Sequence, residues 1–180
     1  MNCIIINMKV SEMIEPKKFL EFLKDRRTIR CFKDEMISDK EIQMILEAGQ
    51  WAPSSSNRQA WEFIVVKNKK MIKELSNTAI YGKFVREAPI LIAIIGFVHD
   101  NPNWYIQDTS VASMNMMLMA WALGIGTCWI GSMDRTEAKE ILGVHQDNFL
   151  LTILPFGYLR KEKPSPPGRK SLDDITKVIE

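Results

Sequence analysis

From Thr109 to Met133 the chain runs for 25 residues without one charged side chain. As a single apolar helix, a stretch of that length could cross a bilayer. It is not uniform, however. Thr109, Ser110, Ser113 and Asn115 are polar, and Gly124 and Gly126 interrupt the run, about four helical turns in. The pattern predicts a buried helix capped by Asp108 and running to Leu123, then a short buried strand over Thr127–Gly131. A helix apolar around its whole circumference must be covered on every side. In a chain of 180 residues the economical cover is a second copy, packed on a surface that Met114, Met116, Met117 and Met119 make adaptable. The alternative is a helix enclosed within one large monomeric core.

The remaining pattern mixes helices and strands. Pro16–Lys24 reads as a first helix, and Ser38 with Glu41 forms a capping box for a second, whose face is Ile42, Ile45, Leu46 and Gly49. Trp61–Lys67 is aromatic and β-branched, a strand signal. A helix over Lys69–Asn77 follows. Ile90–Val98 is apolar throughout, the pattern of a strand covered on both faces. Asp134 and Glu137 predict a capped helix ending near Gly143, and Leu150–Tyr158 a further strand. Pro164, Pro166 and Pro167 exclude regular structure nearby, and Ser171 predicts a terminal helix through Ile179. The expectation is an α+β fold of about four strands, in one domain over residues 1–180 with 159–180 as an extended tail.

Charge nearly balances, 24 basic against 22 acidic residues, which argues against a nucleic-acid-coating protein. Cys3, Cys31 and Cys128 are an odd, widely spaced set without CxxC, consistent with a reducing, cytoplasmic setting. Cys3–Ile6 is too short an apolar patch for a signal peptide. No GxxxxGK[ST] or GxSxG occurs, and His99 and His145 lack metal-ligand spacing. Gly124-Ile125-Gly126 begins like a dinucleotide fingerprint, but Trp129 stands where the third glycine belongs. Cys128 has no neighbour in sequence that would activate it as a nucleophile.

Anion chemistry remains. Lys24, Arg26, Arg27, Arg30 and Lys33 put five cations in ten residues, with Asp25 the only acid. Guanidinium groups suit phosphate oxygens, and Thr28 adds a hydroxyl. Arg169-Lys170 is a second basic pair beyond the prolines. Ser54–Gln59 supplies hydroxyls and amides for a polar heterocycle. Each segment alone also fits a plain solvated turn or connecting loop.

In this order the segments resemble the nitroreductase family over residues 24–175. Arg26-Arg27-Thr28-Ile29-Arg30-Cys31-Phe32 is similar to the family's Arg-Arg-Ser-x-Arg-x-Phe opening. Ala52-Pro53-Ser54-Ser55-Ser56-Asn57-Arg58-Gln59-Ala60-Trp61 is similar to its Ala-Pro-Ser-x-x-Asn-x-Gln-Pro-Trp segment, with Ala60 in place of proline. Gln107-Asp108, Leu123–Gly131, Phe156-Gly157-Tyr158 and Arg169-Lys170 resemble its later blocks. The resemblance implies an intertwined homodimer with a mostly antiparallel sheet flanked by helices and FMN at the subunit interface. Arg26, Thr28, Arg30, Arg169 and Lys170 would hold the phosphate and ribityl chain, with Arg27 at phosphate or ring. Pro53, Ser54, Ser55 and Asn57 would approach from the partner, with Gln59 beside them. Thr127, Cys128, Trp129, Ile130 and Gly131 would border the isoalloxazine. The implied activity is a ping-pong oxidoreductase that takes hydride from NADH or NADPH and reduces nitroaromatics or quinones. It uses no metal and no catalytic acid–base pair. A flavin carrier or sensor is the alternative, as is a flavin-fragmenting or dehalogenating specialist of the superfamily.

Overall fold

The computed structural model describes residues 14–180, so Cys3 and the Cys3–Ile6 patch lie outside the described residues. They fall into two compact units, one of residues as far as Arg26 together with Pro164–Glu180, the other Arg27–Lys163.

In the first unit, helix α1 is Pro16–Asp25. Proline occupies its first position, where no N–H is needed. The Glu15 carboxylate accepts from the N–H groups of Lys17 (3.0 Å) and Lys18 (2.8 Å), satisfying two of the orphan donors. The terminal helix expected from Ser171 does not form. Ser171 and Asp174 exchange side-chain-to-backbone hydrogen bonds as a capping box should, but only one turn follows, closed by Ile175 N–H to Leu172 O. Leu172, Ile175, Val178 and Ile179 all stay exposed. A helix this short needs an apolar face buried to offset its nucleation cost.

The second unit is built on four antiparallel strands: β1 (Trp61–Val66), β2 (Ile90–Gly96), β3 (Ile125–Thr127) and β4 (Phe149–Tyr158), in the order β1-β2-β4-β3. Strand β2 is central and buried at every position. Its side chains alternate between two cores, as the period of a strand requires. Ile90, Ile92 and Ile94 face α2 (Asp39–Gln50) and α4 (Tyr105–Ala122). Leu91, Ala93 and Ile95 face α3 (Lys69–Thr78) and α5 (Arg135–Leu142). The sheet is thus sandwiched between two helix pairs. Helices α2 and α4 pack closely because Ala48 and Gly49 are small: Asn115 Nδ2 reaches the Ala48 carbonyl at 3.1 Å. The Ser38–Glu41 capping box of α2 forms in both directions.

Three local expectations change. Helix α4 starts at Tyr105 without a side-chain cap, so Asp108 sits inside its first turn. At α5 only the Asp134 half of the expected pair forms, accepting from the Glu137 N–H. The strand expected over Thr127–Gly131 ends its ladder at Thr127. Beyond it the Ile130 carbonyl accepts from Thr152 Oγ1 (2.9 Å) and the Gly131 carbonyl from Arg135 Nη2 (3.2 Å). Side chains take the acceptors that β4 amides would otherwise fill. No helix among the described residues is long and apolar enough to cross a membrane.

Candidate functional site

The basic segment lies along the outer edge of β3. Thr28 bridges Thr127 in parallel, and Ile29 N–H donates to the Thr127 carbonyl at 2.9 Å. This approach is possible because position 126 has no side chain. A Cβ there would fall 2.6 Å from both Cβ and Cγ1 of Ile29, far inside ordinary contact. Farther on, Phe32 bridges Leu159 and Lys33 N–H donates to the Tyr158 carbonyl. Arg160 ties down that end, donating from its backbone N–H to the Cys31 carbonyl (3.2 Å) and from Nε to Cys31 Sγ (3.0 Å).

Two sequence-distant segments therefore meet at one edge. Arg27 is 8% exposed and Thr28 is half-buried, while the Arg30 guanidinium lies 6.0 Å from the Phe84 ring centroid. Cys128 and Ile130 are buried, Trp129 and Gly131 exposed: the alternation of an extended chain with one face outward. A Cβ on Gly131 would meet no atom within 4 Å. The Thr127 hydroxyl is buried and finds no hydrogen-bond partner among the described residues. Burying a hydroxyl unpaired is costly, which makes Thr127 the orphaned polar atom of this edge. Arg26 caps α1 at its C-terminal end, and Arg169 and Lys170 are exposed in the tail; all three belong to the other unit.

The Pro53–Gln59 segment stands at the opposite edge, leading into β1. Three strand spacings, about 14 Å at ~4.8 Å each, separate β1 from β3. Within one chain the sheet keeps these two candidate halves apart. Ser55–Asn57 forms a tight 3-10 turn, and Ser56, Asn57 and Gln59 take φ of 53°, 53° and 51°. Left-handed backbone costs non-glycine residues on the order of 1–3 kcal/mol each and collects at working sites. Ser54 Oγ accepts from the Gln59 N–H at 3.0 Å, and Gln59 Nε2 donates to Asn57 Oδ1 at 3.2 Å. Pro53, Asn57 and Gln59 line an open concavity of about 430 Å³ with Gln50, Trp51 and Ala52. Trp51 is 78% exposed there, unusual for so large an aromatic ring.

Sequence reasoning missed what holds these segments. Asp108 accepts from the Ser55 N–H with both carboxylate oxygens (3.2 Å each) and from Asn101 Nδ2 (2.6 Å). Arg135 ties Gly131 to β4 by donating to the carbonyls of Gly131, Leu150 and Leu151. The acid stood at a helix start, where a capping role is the simpler expectation, and the arginine had no local pattern at all. No group of three or more His, Cys, Asp or Glu side chains among the described residues could hold a metal ion.

The chain matches the model of the Nitroreductase family over residues 23–80 and 73–158. Two archaeal proteins, both provisionally named NADH dehydrogenase/NAD(P)H nitroreductase, are similar to it. That of Archaeoglobus fulgidus is 34% identical, covering 80% of this chain and 87% of its own. That of Methanothermobacter thermautotrophicus is 31% identical, covering 96% and 90%. Among solved structures, an FMN-dependent nitroreductase from Clostridium difficile R20291 aligns with a TM-score of 0.77 at 33% identity, covering 86% of this chain and 93% of that one. Fold, segment order and family match agree: this chain belongs to the nitroreductase family.

Proposed function

We propose that the protein is a homodimeric, FMN-dependent oxidoreductase that takes hydride from NADH or NADPH and passes electrons to nitroaromatic, quinone or similar acceptors. The observation that carries this is the pairing of the basic segment with β3, beside a buried Thr127 hydroxyl that lacks a protein partner. The residues present fit the cofactor. A nearly dianionic phosphate calls for two to four cations, and Arg27 and Arg30 stand on the segment that β3 holds. The family resemblance assigns Arg26, Arg169 and Lys170 to the phosphate as well. Thr28 and Thr127 offer hydroxyls to the ribityl chain. The outward face of Cys128–Gly131, open at Gly131, suits a flat ring.

The second half-site comes from another copy. The polar Pro53–Gln59 loop stands three strands away from the β3 edge of its own chain, which supports a second protomer as its source. Helix α4 offers the surface for that protomer. Its inner face is buried through Ala112, Met116 and Ala120, while Val111 and Met114 are each 40% exposed with no charge beside them. An apolar face of this kind favours a partner over water.

Bound FMN supplies the reversible hydride chemistry. The chain supplies cations for the phosphate, extended backbone beside the ring, and a polar loop over its far side. Donor and acceptor use one cleft in turn, a ping-pong order that needs no acid–base pair or nucleophile from the protein. A reducing cytoplasm, where Cys31 and Cys128 stay thiols, completes the reading. The test is the visible spectrum of the purified protein, followed anaerobically. A flavin spectrum that bleaches with NADH or NADPH and returns with a quinone or nitroaromatic supports it. A protein that cannot be loaded with FMN refutes it, and bound flavin that neither nucleotide bleaches favours the carrier or sensor alternative.

A further inference from the structure

Asp108 is a carboxylate only 6% exposed. It forms no ion pair among the described residues; its partners are the Ser55 N–H and the Asn101 amide, both neutral. Burying a charge on neutral donors is expensive, and an amide or apolar side chain would fill the space at lower cost. What the charge accomplishes is local. Asn101 is 1% exposed, and its carbonyl accepts from the N–H groups of Trp104 and Tyr105, so it is fixed to the start of α4. The carboxylate joins that fixed point to the first residue of the Ser55–Asn57 turn. The three left-handed residues follow at once, at Ser56, Asn57 and Gln59. A strained loop persists only when its surroundings over-determine it: the Asp108 carboxylate holds its Ser55 N–H, and Arg58 within the loop donates from Nη1 to the Asp100 carbonyl at 3.0 Å.

We propose that Asp108 is a positioning residue for the flavin site of the other protomer. Through Ser55 it holds the Pro53–Gln59 loop in the left-handed form that presents Asn57 and Gln59 outward, and through α4 it ties that loop to the surface that receives the second copy. The inference rests on the dimeric flavin reading. Its distinctive content is that damage at Asp108 acts across the dimer, on the cofactor held by the partner's basic segment.

The test uses Asp108→Asn, which keeps the volume and removes the charge and one acceptor. Apoprotein is titrated with FMN by fluorescence quenching, and secondary structure is followed by circular dichroism. FMN affinity falls at least tenfold in a protein that stays folded. If Asp108→Asn does not fold, Asn101→Ala, which withdraws one donor and keeps the carboxylate, takes its place. Differently tagged Asp108→Asn and Arg27→Ala/Arg30→Ala chains are then co-expressed and the mixed dimer isolated. In it, one site combines an intact basic segment with an intact loop, and the other combines both lesions. One FMN per mixed dimer is the expected stoichiometry, read from absorbance at an FMN concentration that fills the wild-type sites and leaves both parents largely empty. A folded Asp108→Asn protein with wild-type FMN affinity overturns the proposal, as does a mixed dimer with no FMN. A wild-type chain that takes up no FMN fails differently: it removes the flavin reading itself.

Discussion

Gly126→Ala tests the contact that assembles the proposed phosphate site. The added Cβ would lie 2.6 Å from Ile29 Cβ and Cγ1 and 2.8 Å from Cγ2, against a comfortable carbon–carbon contact of about 3.5–4.0 Å. The overlap is thus near 1 Å. Ile29 cannot swing aside, because it is 4% exposed and β-branched, with a stiff first torsion. Relief requires the 27–30 segment to back away from β3, which breaks the 2.9 Å bond from Ile29 N–H to the Thr127 carbonyl. Overpacking costs ~1–3 kcal/mol and the bond about 1 kcal/mol more, offset by up to ~1 kcal/mol because alanine narrows the unfolded ensemble. The net is roughly 2 kcal/mol. For a chain of this size the apoprotein Tm should fall by about 4–8 °C. FMN affinity should fall further than that loss implies, at least tenfold, because Arg27, Thr28 and Arg30 move as one. Differential scanning fluorimetry and an FMN titration read the two effects separately. An unchanged Tm together with FMN affinity within twofold of wild type would refute the claim that close approach at Gly126 places the basic segment.

Gly131→Ala is the complementary case: its Cβ meets no protein atom, so Tm should stay within about 1 °C while FMN binding weakens, and equal affinity would remove the ring from that face. Arg26→Ala with Arg169→Ala should cost roughly 3 kcal/mol or more, over 100-fold in FMN affinity, if both make charge-assisted bonds to the phosphate; flavin retained through dialysis would exclude them. Val111→Glu with Met114→Lys on the exposed face of α4 should give a folded monomer by analytical ultracentrifugation, with FMN lost in parallel; a flavin-loaded monomer would contradict the shared site. The hydroxyls of Ser38, first, and of Tyr158 hold the Glu41 carboxyl below its ordinary range. Such a group stabilises the fold above its unfolded pKa of about 4.5, and the contribution is lost as pH falls through the lower folded value. The acid limb of Tm against pH should therefore flatten in Glu41→Gln, and an identical limb in both proteins would show the contact to be without effect.

Much of the fold is legible in the chain because its signals are local. The all-apolar Ile90–Val98 run marks the central strand, since only a strand covered on both faces tolerates that pattern. Ser38 and Glu41 mark the start of α2, since a capping box is complete within four residues. Expectations failed where a local signal lacked tertiary support. Ser171 and Asp174 form their reciprocal bonds, yet no helix grows where Leu172 and Ile175 have nothing to bury against. At Thr127–Gly131 the ladder stops early because Thr152 and Arg135, remote in sequence, take the carbonyls.

By itself the sequence determined where the clustered cations and the polar Ser54–Gln59 segment lie in the chain, how the strands alternate with helices, and that Ile90–Val98 is a strand covered on both faces. Those properties reside in side-chain type and spacing, which folding cannot alter. Tertiary structure alone decided that Thr28 lies against Thr127, that Gly126 is the residue permitting it, and that Asp108 turns from its own helix to the Ser55 turn. It also decided that the two halves of the proposed site stand on opposite edges of one sheet. Each depends on which strand pairs with which, a choice made by burial over the whole molecule and written in no local stretch of the chain.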